Sequence, residues 1–329
     1  MANLTTSGDL VDEILFLNGE PTDGTSDFNE RALIYLNKAY QVLGVSGGGE
    51  FVTNASFSAW WWMRATSPGI ITLIPAIIAG TVSVTNNNTA ITFSSAPTPD
   101  TDNYFFKVGD HADVFRISAH NAGAAGATLD SIYTGTTNTT AGYRLFQLRY
   151  DLPADCLAVI APMRSYQRGE REVDGMEIDQ MDREWPLNTV TQGLPRAFAV
   201  IQSVSGLMTV QFSHYGGDGS DQTDFMRLDF EYLTTLTDLT DSASNFPLVP
   251  REYRHILSDM GAYYLALAKD DSRAGAHATA ASNGISRMIK ENIRRWSAFS
   301  RREGKILPRM SGLLSTQRAL RTESGHIIG

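Results

Sequence analysis

The spacing of apolar residues separates the helical ends of the chain from a long β-rich middle. Beyond Pro250, apolar residues recur every three or four positions, which places them on one face of a helix. These residues are Tyr253, Ile256, Leu257, Met260, Tyr264 and Leu267. Pro250 is well tolerated in a first helical turn, and Glu252 lies near the positive end of the helix dipole. Residues 246–257 therefore predict the point where an extended stretch ends and an amphipathic helix begins.

Two more helices are predicted near the N-terminus. The first begins near Ser7 and is expected to end at Gly19. Its apolar face consists of Leu10, Ile14 and Leu17. In the second helix Asp27 can act as the N-cap, with Glu30 three residues later as in a capping box. The apolar stripe of this helix consists of Phe28, Leu33, Leu36, Tyr40 and Leu43, and the glycines from Gly44 onward are expected to end it.

Each of these helices is apolar on one side only, so each needs a packing partner. The simplest arrangement is a helical bundle built from both chain ends, residues 1–65 and 246–300, with a β-rich lobe inserted between them. Within the lobe, residues 66–149 are predicted to form an inserted β-module, a barrel or sandwich, and residues 150–245 a second β-rich region of antiparallel strands. Residues 301–329 are predicted to form an extended C-terminal arm. The expected fold class is α+β.

The strand signals are strongest at residues 80–93, where alternating apolar residues flank an Asn-rich turn and predict a hairpin. The other candidate strands are residues 114–118, 128–133, 143–150, 156–165, 197–203, 207–214 and 225–233. Glycine-rich and threonine-rich segments between them are typical of loops.

Composition narrows the class of protein. A chain of 329 residues with 42% hydrophobic residues can bury a substantial core. Cys156 is the single cysteine, so no disulfide can form within the chain. The longest apolar run, residues 70–79, contains Pro75 and is too short to cross a bilayer, and the N-terminus lacks the pattern of a secretory signal. We therefore expect a globular protein with no membrane partner.

A net charge of −9 argues against a protein whose whole surface binds nucleic acid. The C-terminus nevertheless has a basic and apolar character. Its candidate docking residues are Arg301, Arg302, Lys305, Ile306, Leu307, Arg309, Met310, Leu313, Leu314, Arg318 and Arg321. One interpretation is a solvated helix face followed by a frayed tail. The other is an arm that becomes ordered when it docks on an acidic or hydrophobic partner.

Catalytic and cofactor motifs are absent from the sequence. The glycine-rich segment 44–49 lacks the Lys-Ser/Thr of a phosphate loop and follows a predicted helix, so a flexible link is the better interpretation. The six histidines show no metal-site spacing. Cys156 is expected to be a buried strand residue rather than a nucleophile. We therefore expect neither an enzyme nor a bound cofactor.

Three carboxylates, Asp218, Asp221 and Asp224, share a glycine-containing loop and are weak candidates for calcium ligands. The loop lacks the distal bidentate glutamate of a helix-loop-helix calcium site. A polar hairpin turn is therefore the preferred interpretation.

Trp60, Trp61 and Trp62 are consecutive, and three adjacent side chains cannot all point to one side of a regular element. We expect at least one of them to meet another chain or another domain, which makes them candidates for a subunit interface. Core anchoring between the helical and β-rich parts is the alternative interpretation.

Three segments in order produce a family resemblance. Residues 27–40, with an acidic cap and the run Leu36-Asn37-Lys38-Ala39, are similar to the second helix of phage head-to-tail adaptor proteins. Residues 150–155 are similar to the aromatic-x-Leu-Pro-x-Asp sequence that begins their β-region. Residues 246–257, preceded by Asp238 and Asp241, resemble the start of their C-terminal helices. The chain therefore resembles the adaptor, or connector, beneath the portal of tailed bacteriophages. It departs from the family at His214, where such proteins often have a Pro-x-Pro hairpin.

The resemblance implies a structural virion protein. Its subunits would form a closed dodecameric ring at the portal–tail junction, with partners that include the portal protein and a tail tube or nozzle protein. Genomic DNA would pass through the channel without sequence-specific binding, and an acidic lining would limit adhesion. Before assembly the protein is expected in the host cytoplasm. Residues 66–149 would be an inserted β-module of the kind found in some adaptors.

Three other functions stay open at this point. The Thr/Asn/Gly-rich strands are compatible with a β-sandwich that binds a receptor or glycan as a tail or decoration protein. A tail-borne hydrolase lacks any recognisable acid–base pair. The basic C-terminal segment would also suit a protein that binds nucleic acid.

Overall fold

The computed structural model describes residues 4–22, 27–52, 59–165, 171–202, 207–216 and 226–302. They form two compact units. One unit takes its residues from both chain ends, up to residue 65 and from residue 234 onward, and the other spans residues 66–233. The expected α+β class is confirmed.

The described residues form five α-helices, numbered in chain order. They are α1 (Ser7–Leu17), α2 (Asp27–Ser46), α3 (Ile178–Glu184), α4 (Arg254–Ala268) and α5 (Ala274–Arg302). Four of them belong to the unit formed by the chain ends, and α3 belongs to the β-rich unit. None of the described helices is long and apolar enough to cross a membrane.

The start of α1 is set by a capping box. The Thr6 hydroxyl accepts a hydrogen bond from the backbone N–H of Asp9 at 3.2 Å, and the Asp9 carboxylate accepts one from the Thr6 N–H at 2.9 Å. This pair satisfies two donors that the first helical turn would otherwise leave unpaired. Gly19, with φ of 69°, follows the last turn, as the sequence predicts.

Helix α4 packs closely against its neighbours at glycines. A Cβ added to Gly261 would come within 2.4 Å of Ile14 Cδ1 in α1. A Cβ added to Gly284 in α5 would come within 2.7 Å of Ile256 Cγ1 in α4. Ile256, Leu257, Met260 and Tyr264 are buried, as their spacing predicts. Leu267 is 56% exposed, because the apolar stripe runs past the packed part of α4 into its last turn.

Fourteen strands lie in the described part of the chain. The first eight are β1 (Gly69–Leu73), β2 (Val82–Val84), β3 (Ala90–Phe93), β4 (Phe105–Val108), β5 (Phe115–His120), β6 (Gly126–Leu129), β7 (Asn138–Ala141) and β8 (Tyr143–Phe146). The others are β9 (Arg149–Asp151), β10 (Cys156–Ser165), β11 (Arg171–Gly175), β12 (Ala197–Gln202), β13 (Met208–Phe212) and β14 (Met226–Thr234).

One seven-stranded sheet has the order β7-β2-β3-β6-β5-β4-β8. Its two outermost strands, β7 and β8, are joined through Gly142 alone, so the sheet curls back on itself into a barrel-like form. The predicted hairpin is confirmed, because β2 pairs antiparallel with β3. The interior is apolar, and its buried residues include Val82, Ile91, Phe93, Phe106, Ile117, Leu129 and Leu145.

The second seven-stranded sheet has the order β1-β14-β10-β11-β12-β13-β9. Strand β1 falls within residues 66–149, yet it pairs with β14, with Gly69 opposite Phe230. A Cβ on Gly69 would come within 2.3 Å of Phe230 Cζ, so the phenyl ring covers this glycine. Along the chain, the strands of the barrel-like sheet, β2 to β8, are therefore inserted between β1 and β9 of the other sheet. The barrel-like sheet is called the nested sheet.

The two sheets of the β-rich unit meet through an aromatic cluster. The aromatic ring centroids of Phe146 and Tyr215 lie 4.8 Å apart, and the Arg144 guanidinium lies 5.9 Å from the centre of the Tyr215 ring. Lys107 Nζ donates to the Asn188 carbonyl at 2.9 Å. These contacts fix the nested sheet to the loops that precede β12 and follow β13.

Candidate functional site

The tryptophan segment lies inside the helical unit. Trp60 is fully buried, and its Nε1 donates to the Leu43 carbonyl of α2 at 2.5 Å. Trp62 is 7% exposed and stacks with Trp60 at a centroid distance of 6.1 Å. Both side chains therefore anchor the segment to its own subunit. A subunit-interface role stays a prediction for Trp61, which is only half-buried.

Asn292 of α5 clamps this segment. Its Nδ2 donates to the Ala59 carbonyl at 2.7 Å, and its Oδ1 accepts from the Trp61 backbone N–H at 2.9 Å. Asn292 is 4% exposed, so these bonds form where water is largely excluded. Asn292 is not among the residues predicted from the sequence. The sequence feature that could have identified Asn292 is its spacing, which places a polar side chain on the same helix face as the apolar residues Ala281, Ile285 and Met288.

Trp61 lies beneath a cation. The Arg295 guanidinium is 4.0 Å from the centre of the Trp61 ring, a cation–π geometry. Arg295 also pairs with Glu291 at 2.9 Å and with Glu252 at 3.8 Å. The indole Nε1 atoms of Trp61 and Trp62 are buried and have no hydrogen-bond acceptor among the described residues. This cluster joins the tryptophan segment to α5 and to the start of α4.

Arg254 fixes residues 246–257 to the N-terminus. Its guanidinium donates to the carbonyls of Val249 at 3.0 Å and Pro247 at 3.1 Å, and it also bonds the Thr5 carbonyl. The Tyr40 hydroxyl accepts from the Leu248 N–H at 3.0 Å. The segment that marks the resemblance is therefore held by α2 and by the residues before α1. Sequence reasoning did not identify Arg254, because its acceptors are backbone carbonyls.

The other predicted site residues lie at the limit of the described chain or beyond it. Arg301 and Arg302 are the last residues of α5. The remaining arm residues from Lys305 to Arg321 lie outside the described residues, as do Asp218, Asp221 and Asp224. The structure therefore brings together the tryptophans, and the docking arm and the calcium candidates stay predictions.

Ser213 and Cys156 have side chains that can act as nucleophiles, and both are buried. The Ser213 hydroxyl lies 2.9 Å from His214 Nδ1, but its oxygen accepts from the backbone N–H groups of Arg196 and Ala197 at 3.0 and 3.1 Å. Ser213 is 1% exposed. Cys156 begins β10 and is buried, as expected, and burial together with Asp155 raises the pKa of its thiol to about 12. At neutral pH this thiol is protonated, which makes it a weak nucleophile.

An acidic region lies where α1 meets residues 240–242. Ser7 Oγ donates to the Ser242 carbonyl at 3.0 Å, which holds the start of α1 against this segment. Burial and the nearby carboxylates of Asp241 and Asp9 raise the pKa of Asp12. Burial and Glu13 raise the pKa of Asp259 in α4 to about 6. The carboxylates in this region therefore repel one another.

The chain matches the model of a known protein family. The family model described as SU10 adaptor protein matches residues 111–303, more than half of the chain. No curated protein matches. The matched span runs from just before β5 to the end of α5, and it includes residues 246–257, Asn292 and Arg295.

Proposed function

Since the chain belongs to the SU10 adaptor protein family, it is a phage structural adaptor and a virion component, and we propose that it forms a closed ring joining the portal to the tail. The family match carries this proposal. The chain order supports it, because helices from both ends fall in one compact unit while the strands form the other. Subunits that meet through two different surfaces close into a ring when the rotation between neighbours allows it.

In this proposal the helices of both chain ends form the bundle that docks under the portal. The β-rich unit faces a tail tube or nozzle protein. The ring is dodecameric, and genomic DNA passes through its channel without sequence-specific binding. The chain's net charge of −9 favours a negative channel lining, which repels phosphates and reduces adhesion. The role is structural, with neither catalysis nor a cofactor, and assembly occurs in the host cytoplasm.

Residues 301–329 serve as the portal-docking arm in this proposal. The first two residues of the arm, Arg301 and Arg302, are also the last two residues of α5. The arm's mixture of basic and apolar residues suits a segment that becomes ordered when it binds an acidic and apolar surface. Because twelve arms would dock at once, many individually weak contacts would together give stable attachment to the portal.

Truncation after Ser300 tests the arm. We expect the shortened chain to keep its circular dichroism spectrum and thermal transition but to lose co-sedimentation with purified portal rings. A second variant keeps the length of the arm and replaces Ile306, Leu307, Leu313 and Leu314 with serine, which separates the apolar contacts from chain length. Normal attachment of the truncated chain would contradict the arm's role.

A further inference from the structure

Helix α5 presents a basic face to solvent. Arg287, Lys290, Ile293 and Arg294 recur at helical spacing and are exposed, and Ile293 is 63% exposed. Arg287 and Lys290 form no ion pair with any residue in the described part of the chain. Arg294 pairs with Glu291 at 3.0 Å but keeps 78% of its side chain exposed. These four residues are called the basic face. Exposed cations without an ion pair can bind carboxylates of another chain, and Ile293 can add apolar contact beside them.

The opposite character appears on α1. Asp12, Glu13 and Phe16 lie about one helical turn apart at most, and the Asp241 carboxylate lies beside α1, 3.5 Å from where a Cβ on Gly8 would be, one turn before Asp12. Phe16 is 72% exposed. Within the described ranges, Asp12, Glu13 and Asp241 have no ion-pair partner. These four residues are called the acidic face. The acidic face carries carboxylates without ion-pair partners around an exposed aromatic ring. Its charge is opposite to that of the basic face, and both faces contain one large exposed apolar side chain.

The two faces lie on different sides of the same unit. Helix α1 packs on α4 where Ile14 meets Gly261, and α5 packs on α4 where Ile256 meets Gly284. Ile256 and Gly261 are five positions apart, which corresponds to about 140° around a helix axis. The outer surfaces of α1 and α5 therefore point away from each other. The two faces of one subunit therefore cannot contact each other. In two subunits arranged head to tail, the basic face of one can contact the acidic face of the other.

We propose that the basic face of one subunit docks on the acidic face of the next, with Phe16 and Ile293 in the apolar centre of the contact. The inference rests on the proposed subunit ring and names the surfaces that build it. A contact between two different faces is the type that generates rings. Salt bridges around an apolar centre give such a contact its orientation and its dependence on ionic strength.

Charge reversal tests this contact in the full-length chain. One variant carries Arg287→Glu and Lys290→Glu, a second carries Asp12→Lys and Glu13→Lys, and a third combines all four substitutions. A control carries Arg31→Glu and Arg183→Glu, which shift net charge equally at exposed positions outside both faces. Circular dichroism checks that each variant folds. Native mass spectrometry and sedimentation, with and without purified portal rings, then measure self-association.

We expect each face variant to weaken self-association about tenfold or more, the combined variant to restore it, and the control to leave it unchanged. Self-association that is unchanged by either reversal would show that these faces do not form the subunit contact. It would leave the proposed ring itself uncontradicted. Loss without rescue by the combined variant would show that the two faces do not contact each other and would also overturn the inference. A native chain that forms no ring even on portal would refute both this contact and the proposed function.

Discussion

Gly284 of α5 lies directly against Ile256 of α4, and a Cβ at the glycine would come within 2.7 Å of Ile256 Cγ1. Ile256 is fully buried, so it has little room to move. Close helix contact at this point sets where α5 crosses α4. It therefore also sets where the outer surface of α5 points.

Gly284→Ala is expected to lower the free energy of unfolding by about 1–2 kcal/mol, because overpacking outweighs the better helix propensity of alanine. Gly275 offers a matched control in the same helix, since a Cβ there meets nothing within 4 Å. We expect Gly275→Ala to be neutral or to stabilise the protein by up to about 1 kcal/mol. Urea unfolding followed by circular dichroism compares the two. Equal effects would contradict the close contact.

Asn292→Ala should release the tryptophan segment. The substitution leaves the Trp61 N–H and the Ala59 carbonyl without their partner in a buried place, which costs about 1–3 kcal/mol. The tryptophan emission should move to longer wavelength as the indoles become hydrated. Asn283→Ala, at an exposed position of the same helix, should change neither stability nor emission. An unshifted spectrum for Asn292→Ala would show that other contacts hold the segment.

Asp259 makes stability depend on pH. Burial and Glu13 raise its pKa in the folded protein to about 6, above the ordinary value of 3.8. Its protonated form therefore favours folding, so this contribution is fully present below about pH 4 and is lost as the pH rises through 6. Asp259→Asn should be more stable than the native chain by about 1–2 kcal/mol at pH 7.5, allowing for solvent screening, and similar at pH 4. Chemical denaturation at both pH values measures the difference. A constant difference would rule out this carboxyl as the source.

His120 is expected to stabilise the loops of the barrel-like sheet. Its Nδ1 accepts from the Thr101 N–H at 3.4 Å, which leaves Nε2 protonated to donate to the Ala124 carbonyl at 3.0 Å. His120 is 5% exposed. His120→Ala should lower the free energy of unfolding by about 1–3 kcal/mol, whereas alanine at the exposed Asn121 should have little effect. Hydrogen exchange of the Thr101 amide offers a local readout, and unchanged protection there would argue against this bridge.

Elements with local causes could be predicted from the sequence. Helices α1, α2 and α4 have caps or apolar stripes within a few residues, and the hairpin of β2 and β3 has its turn between its strands. Pairing of β1 with β14 could not be predicted, because Gly69 and Phe230 lie far apart along the chain. The apolar spacing predicted that Leu267 is buried, but no neighbour among the described residues covers the end of α4 enough to bury it.

The candidate site was predictable only in part, for the same reason. The three tryptophans are evident from the sequence, but the burial of Trp60 depends on Leu43 of α2, and the position of Trp61 depends on Asn292 and Arg295 of α5. The spacing of residues within one segment cannot reveal partners that lie far away along the chain.

The acidic residues of α1 and the basic residues of α5 are evident in the sequence. Their placement on different sides of α4 required the packing at Gly261 and Gly284.

The proposed ring between portal and tail can be seen by electron microscopy of the purified full-length chain mixed with purified portal rings. We predict added density beneath the portal with twelvefold symmetry and a central channel, formed by chain that co-purifies with the portal. Portal rings that carry no added density at saturating chain concentration would contradict the claim.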